Sequence, residues 1–271
     1  MPTTAEKRAA FTALHASGCW VLPNPWDVGS ARILQGLGYK AIASTSSGMA
    51  WSKGRTDYEV ELGEVLEHLS ELCAGSDLPL NADFENGFAD DPEGVAANVR
   101  AALDAGVAGL SIEDTTRRPG KPVYETAEAV ERIRAARAAI DAHGPGAVLV
   151  GRADGLLMGH MGASEAIDRL VALAEAGADC LYAPGLKTAD EIAAAVKAVA
   201  PKPVNVLAGF APFSMAQYED LGVRRVSVGG SLARVAYGQL MRAAQQMLAE
   251  GTFDLIASAP PGREVSALFK A

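Results

Sequence analysis

The sequence is poor in the features that mark several functional classes. Among 271 residues it has three cysteines, four histidines and 6 % aromatic residues. Cys19, Cys73 and Cys180 are scattered, odd in number and form no CxxC pair, which excludes a disulfide framework or a Cys-rich zinc site and predicts reduced thiols in a cytoplasmic protein. Basic residues do not dominate: 24 Lys and Arg against 33 Asp and Glu give a net charge of −9. An acidic surface argues against nucleic acid or an anionic membrane as the main partner. No apolar run approaches the ~18 residues of a membrane span, and the first 17 residues carry helical periodicity without a secretory apolar core. No Pro/Gly/Ser-rich linker divides the chain, which predicts one domain over 1–271.

What is present is an alternation. Short β-rich runs at 20–25, 41–46, 78–84, 109–115, 148–154, 180–185, 203–208 and 225–230 are each followed by an Ala/Leu/Glu-rich stretch of helical period. Gly38, Gly106, Gly177 and Gly222 stand where a helix would end in a left-handed cap before the next strand. Eight such units predict a parallel (β/α)8 TIM barrel at about 20–250, preceded by a helix at 4–17 and followed by an apolar tail at 251–271. Cys180, inside a strand, is assigned to the core. The rival, an open doubly wound sheet, would carry a Gly-rich fingerprint after the first strand, and Pro23-Asn24-Pro25-Trp26 is not one.

Barrel chemistry sits at the C-terminal ends of strands. Asp83 and Glu85, two apart, would point to one side of the third strand, and Glu113 follows on its neighbour. Three converging carboxylates need a cation, and an all-oxygen set favours Mg2+ or Mn2+ over zinc. Helix caps and surface acids are the bland explanation, retained for Asp114 and Asp154. Arg152 at the end of the fifth strand suits a substrate carboxylate or a salt bridge to those acids. Arg234, after Gly229-Gly230-Ser231, suits a second carboxylate or an exposed helix position. Asp57 resembles a helix N-cap. His160 lies in a Gly-rich loop at 155–162, while His15, His68 and His143 read as surface residues.

Ser46-Ser47-Gly48 before a loop ending in Asp57, Asp83-Phe84-Glu85-Asn86-Gly87, Ile112-Glu113-Asp114, Gly151-Arg152-Ala153-Asp154 and the Arg234 segment together resemble the isocitrate lyase/phosphoenolpyruvate mutase superfamily. The resemblance implies a Mg2+-dependent barrel acting on 2-oxo or 2-hydroxy carboxylates, tetrameric, with a C-terminal helix exchanged between subunits. It implies Asp83 as the metal ligand, with Glu85 standing where the family usually has Asp, a longer arm that keeps the charge, and Glu113 and Asp57 as carboxylates holding metal-bound water or assisting chemistry. Ser46, Ser47 and Gly48 would bind the substrate carboxylate, with Arg152, Arg234 and Asn205 as further contacts. Residues 115–124 lack the Cys and His of the isocitrate lyase loop, which points to a branch outside those lyases. Lys121, Tyr124 and His160 are then the candidate proton carriers. The expected chemistry is cleavage of a C–C or C–P bond through a metal-stabilised enolate. The alternatives are a phosphate-binding aldolase or isomerase, with the glycines near 209 and 229–230 as its cradle, and a non-catalytic 2-oxo acid binder.

Overall fold

The structure, a computed structural model, describes residues 2–118, 120–144, 146–210 and 213–270. Its strands are β1 (Trp20–Leu22), β2 (Ile42–Ala43), β3 (Leu80–Asp83), β4 (Gly109–Glu113), β5 (Thr115–Arg118), β6 (Lys121–Val123), β7 (Val148–Arg152), β8 (Cys180–Tyr182), β9 (Val204–Leu207) and β10 (Arg225–Ser227). Eight of them form one parallel sheet in the order β1-β10-β9-β8-β7-β4-β3-β2. The outer strands meet where the Ala43 N–H donates to the Pro23 carbonyl at 3.0 Å, so the sheet curls into a (β/α)8 barrel. All eight predicted strands are present, each shorter than its apolar run. The antiparallel β5–β6 hairpin falls in 115–124, where the sequence suggested a loop; Pro119 of that segment lies outside the described residues.

The crossover helices start and stop where local chemistry dictates. In helix Pro92–Asp104, Asp91 caps the first turn by accepting the Gly94 N–H at 2.7 Å, Pro92 has no N–H to lose, and Val95, Val99, Ala102 and Leu103 face the sheet. Just beyond its end Gly106 adopts φ +99°, and the other three predicted cap glycines also have positive φ. The main core lies between the sheet and this ring of helices.

A smaller core fills the barrel itself. Ala41, Ala43, Val148, Val150 and Cys180 pack there against Phe11, which the N-terminal helix Thr4–Leu14 inserts into the barrel's lower end. Lys7 and Arg8 anchor that helix. The Lys7 ammonium donates to the carbonyls of Cys73 and Ser76, and the Arg8 guanidinium to those of Leu103 and Val107. Both basic groups thereby meet the negative ends of two crossover helices. The predicted helix at 4–17 ends three residues early, at Leu14.

The last barrel helix, Ser231–Glu250, buries only Ala233 among its residues. Val235, Leu240, Met241 and Leu248 are exposed along it. Helices Asp254–Ala257 and Gly262–Leu268 follow, and the latter returns to the chain's own helix Val28–Gly36. A Cβ on Gly36 would come 2.7 Å from the Leu268 carbonyl oxygen, so glycine is what permits this docking. Ala271, the end of the predicted tail, lies outside the described residues.

Candidate active site

A cavity of about 190 Å³ opens at the C-terminal end of the barrel, the end where sequence reasoning places chemistry. Asp83, the last residue of β3, lines it and is held on both oxygens. Oδ2 accepts the Ser46 N–H at 2.9 Å and Oδ1 the Arg152 Nη1–H at 3.0 Å. Asp57 lines the same cavity. Burial raises its pKa, the Asp83 charge adds to the rise, and the Ser46 hydroxyl and the Tyr58 N–H pull it back.

Arg152 organises the acids. Its Nη1 also contacts Glu113 Oε1 at 2.7 Å, and its Nε donates to Asp154 Oδ1 at 2.9 Å. The salt bridge considered for Arg152 is therefore present. Among the described residues its Nη2 has no partner, and the side chain lines the cavity. Burial pushes the Glu113 carboxyl well above the usual range, Arg152 opposes, and the charges of Asp154 and Asp83 add to the rise. Glu113 Oε2 accepts from Tyr58 and Thr115 hydroxyls at 3.1 and 3.0 Å.

Glu85 departs from the picture of a strand with Asp83 and Glu85 on one side. β3 ends at Asp83, and Glu85 sits past it at φ +45°, which turns its side chain toward an ion pair with Arg117 of the hairpin. Burial lifts its pKa to about 7 even though Arg117 lowers it. With Asp83 and His68 it lines a small adjoining cavity.

The remaining candidates divide sharply. Ser46, Ser47 and Asn205 line the main cavity. Gly48 does not: its N–H goes to Thr45 Oγ1, and a Cβ there would meet Thr45 Cγ2 at 2.6 Å and Trp26 Cβ at 2.9 Å, so its role is close packing. Arg234 is exposed, in an apolar groove with Trp51 and Tyr237, and does not reach the cavity. Lys121 is paired with Glu128 at 2.6 Å. The Tyr124 hydroxyl donates to Asp90 at 3.1 Å with its ring under Arg132. His160 is exposed at a turn. The structure brings none of these three proton carriers to the cavity, because the hairpin and the 155–162 loop point them elsewhere. His68 is buried, not on the surface as predicted.

Sequence reasoning missed Tyr182, Arg225, Ser227 and Asn24, all in the cavity wall. Asn24 accepts the N–H groups of Val228 and Gly229 at 3.0 and 2.9 Å and donates to the Ser44 carbonyl, tying three strand ends together. A lone Asn between two prolines at a strand end was its only signal. The others read as ordinary strand residues.

Among the described residues no three Asp, Glu, His or Cys side chains converge closely enough to chelate a metal ion. Asp57, Glu85 and Glu113 nevertheless each feel the Asp83 charge. With Asp154 these are five carboxylates facing two guanidinium groups, Arg152 and Arg117. That excess of negative charge suits a hard cation ligated by Asp83, with the other acids acting through water.

The phosphoenolpyruvate phosphomutase family model matches residues 11–248. A Mycobacterium tuberculosis protein named only as uncharacterised is 31 % identical over 222 residues, 81 % of each chain. The oxaloacetate decarboxylase of Rhodopseudomonas palustris is 28 % identical, over 82 % of this chain and 77 % of its own. Among solved structures, a Burkholderia cenocepacia chain provisionally named a lyase/mutase superposes with TM-score 0.94 at 46 % identity, covering 99 % and 97 % of the two chains. Oxaloacetate acetylhydrolase bound to oxalate gives 0.85 at 26 %, covering 98 % and 94 %. Phosphonopyruvate hydrolase with oxalate and Mg2+ gives 0.83 at 25 %, covering 98 % and 95 %.

Proposed function

The chain belongs to the isocitrate lyase/phosphoenolpyruvate mutase superfamily of lyases, mutases and hydrolases of small keto acids, and from that premise we propose that it is a divalent-metal-dependent lyase of a small 2-oxo or 2-hydroxy carboxylate. The observation that carries this reading is the meeting, in one cavity at the barrel mouth, of the Asp57 and Asp83 carboxylates, the Ser46 and Ser47 hydroxyls and the Arg152 guanidinium. The Mg2+ seen with phosphonopyruvate hydrolase supports the metal.

Asp83 would ligate the ion, with Asp57, Glu85 and Glu113 holding its water. When bound, it would act as a Lewis acid toward negative charge developing on the C2 oxygen. Ser46 and Ser47 would donate to the substrate carboxylate, and Arg152 would orient it through Nη2. Breaking the bond one carbon beyond the carbonyl leaves an enolate that needs a proton. Tyr182 lines the cavity under Arg152, 5.2 Å from ring centroid to guanidinium carbon. Burial raises its pKa, with the Arg152 charge and the Ser227 hydroxyl opposing, so it holds its proton at Oη. Tyr182 thus takes the role the sequence offered to Lys121, Tyr124 or His160.

The test is a screen of pyruvate, oxaloacetate, 2-oxoglutarate, malate and phosphonopyruvate with Mg2+ or Mn2+, read by product mass. Turnover of at least one, abolished in Asp83→Asn together with calorimetric metal binding while circular dichroism stays native, is expected. Tight binding without turnover would make the protein a keto-acid binder. Turnover undiminished in Asp83→Asn would refute the assignment.

A further inference from the structure

Arg225 is a buried arginine whose charge has no acidic partner among the described residues. It opens β10 and is 2 % exposed. Its Nε donates to Asn205 Oδ1 at 2.8 Å and its Nη1 lies 3.3 Å from His15 Nε2. His15 is neutral: burial and the Arg225 charge lower its pKa to about 3. Its Nδ1 is 2.8 Å from the Phe11 carbonyl, so Nδ1 carries the proton and Nε2 accepts from the guanidinium. Among the described residues no carboxylate pairs with Arg225. The three other buried arginines are provided for differently. Arg169 meets Asp114, Arg132 donates to three carbonyls of the 86–90 loop, and Arg8 donates to two carbonyls at a helix end. An unpaired charge held out of water destabilises a fold unless something else compensates it.

The strand register shows where this charge points. Trp20, Arg225, Asn205, Tyr182, Arg152 and Glu113 pair in succession across β1, β10, β9, β8, β7 and β4. Residues paired in this way share a face of the sheet, and here it is the inner one. The row winds from the barrel floor to the mouth, and hydrogen bonds follow its lower part: Arg225 to Asn205, and Asn205 to Ser227 at 2.9 Å. Arg225, Asn205 and Ser227 line the same cavity as Ser46 and Asp83, so floor and mouth share one continuous space.

We infer that this floor is a second anion subsite, in which Arg225, flanked by Asn205 and Ser227, receives the distal carboxylate of a small 2-oxo or 2-hydroxy dicarboxylate. The inference rests on the proposed function for the head of the substrate at the mouth. A single guanidinium with two neutral neighbours matches one carboxylate charge, and the ligand supplies the counter-charge the fold omits. It also gives a physical counterpart to the second arginine sought at Arg234, which lies outside the cavity.

Calorimetry in Mg2+ with two matched ligand pairs tests it: 2-hydroxybutanoate against malate, and 2-oxopentanoate against 2-oxoglutarate. In the wild type the di-acid of at least one pair should bind roughly ten- to a hundredfold tighter than its mono-acid. Arg225→Met should erase that preference while changing mono-acid affinity by less than about threefold, a neutral side chain of similar length being retained. Should that variant not fold, Asn205→Asp keeps the guanidinium and pairs it internally, and should erase the preference as well. Equal binding of both members of each pair by the wild type, or a preference surviving both substitutions, would overturn the subsite. Mono-acid binding still lost in Asp83→Asn would then leave the mouth assignment standing. No binding of any of the four ligands would defeat the proposed function, and this inference with it.

Discussion

The clamp that holds the edge of the site in place gives a quantitative prediction. Arg169 of helix Ala163–Glu175 donates from Nη1 to Asp114 Oδ2 at 2.9 Å and to the Tyr124 carbonyl at 2.6 Å. Asp114 Oδ1 accepts the Asp154 N–H at 2.7 Å. One guanidinium thus joins the end of β4, the exit of the β5–β6 hairpin and the loop after β7. Both side chains are buried, at 1 % and 5 % exposure. Arg169→Met strands a buried carboxylate, which typically costs about 3–5 kcal/mol. Burial already raises the Asp114 pKa to about 6, with Asp154 N–H and Arg169 among the groups that lower it. An acid whose folded value lies above its unfolded one holds its proton longer in the fold, so its contribution to stability falls as pH rises through that window. Without Arg169 the carboxyl rises further and stays protonated at pH 5. There the variant should lose only its neutral hydrogen bonds, about 1–2 kcal/mol, against about 3–5 kcal/mol at pH 8. Arg169→Met with Asp114→Asn removes both charges and should cost about 2–3 kcal/mol, well under the sum of the single losses. Urea unfolding followed by circular dichroism at the two pH values measures all of this. Equal losses at pH 5 and pH 8, or additive single losses, would refute the reasoning.

Three further outcomes are expected. His68 is buried with no partner for Nε2 among the described residues, and burial lowers its pKa to about 4. The unfolded chain therefore takes up the proton first and stability drains away as pH falls from about 6.5 toward 4, so His68→Leu should gain about 2–3 kcal/mol on the wild type between pH 7.5 and pH 4.5 in urea titrations; an unchanged difference would contradict this. The 115–124 hairpin offers Arg117 to Glu85 and no thiol or imidazole, so isocitrate and 2-methylisocitrate should yield negligible glyoxylate or pyruvate by product mass, and robust release from either would show that the loop was overrated. The exposed Val235, Leu240, Met241 and Leu248 of helix Ser231–Glu250 predict self-association, and light scattering should give at least twice the chain mass; a monomer at every concentration would contradict it.

Periodicity made the barrel legible, because each strand reads as an apolar run and several crossover helices close on a left-handed glycine such as Gly106 or Gly177, although Leu62–Gly75 and Ala189–Val199 end on Ser76 and Ala200 instead. It did not reveal the β5–β6 hairpin, since Thr115-Thr116-Arg117-Arg118 is polar on both faces and makes no pattern of period two against a core. Asp83, Glu113 and Arg152 were findable because strand ends collect at the mouth, whereas Asp57, in the loop after helix Ser46–Ser52, came only from the family resemblance. Glu85 shows the limit of that rule: one residue at positive φ re-aims a side chain that strand alternation would have kept with Asp83. Arg225 and Arg234 show another. Position along the chain placed both near the eighth strand, yet inward or outward orientation depends on register and helical phase, and the arginine that reaches the cavity is the one at the strand's start.

Phe11 stoppers the barrel from below, with His15 and Trp20 edge-on around it. The cavity is therefore blind, with a single way in and out. Under the proposed function and subsite, a substrate lying along the axis would enter distal end first, and once it is split the fragment at Ser46 and Asp83 would depart before the one above Arg225. Release is then ordered by architecture, whatever the intrinsic affinity of each piece. Steady-state inhibition should carry that signature: only the last product to leave competes with substrate for the empty enzyme, and the first to leave inhibits noncompetitively.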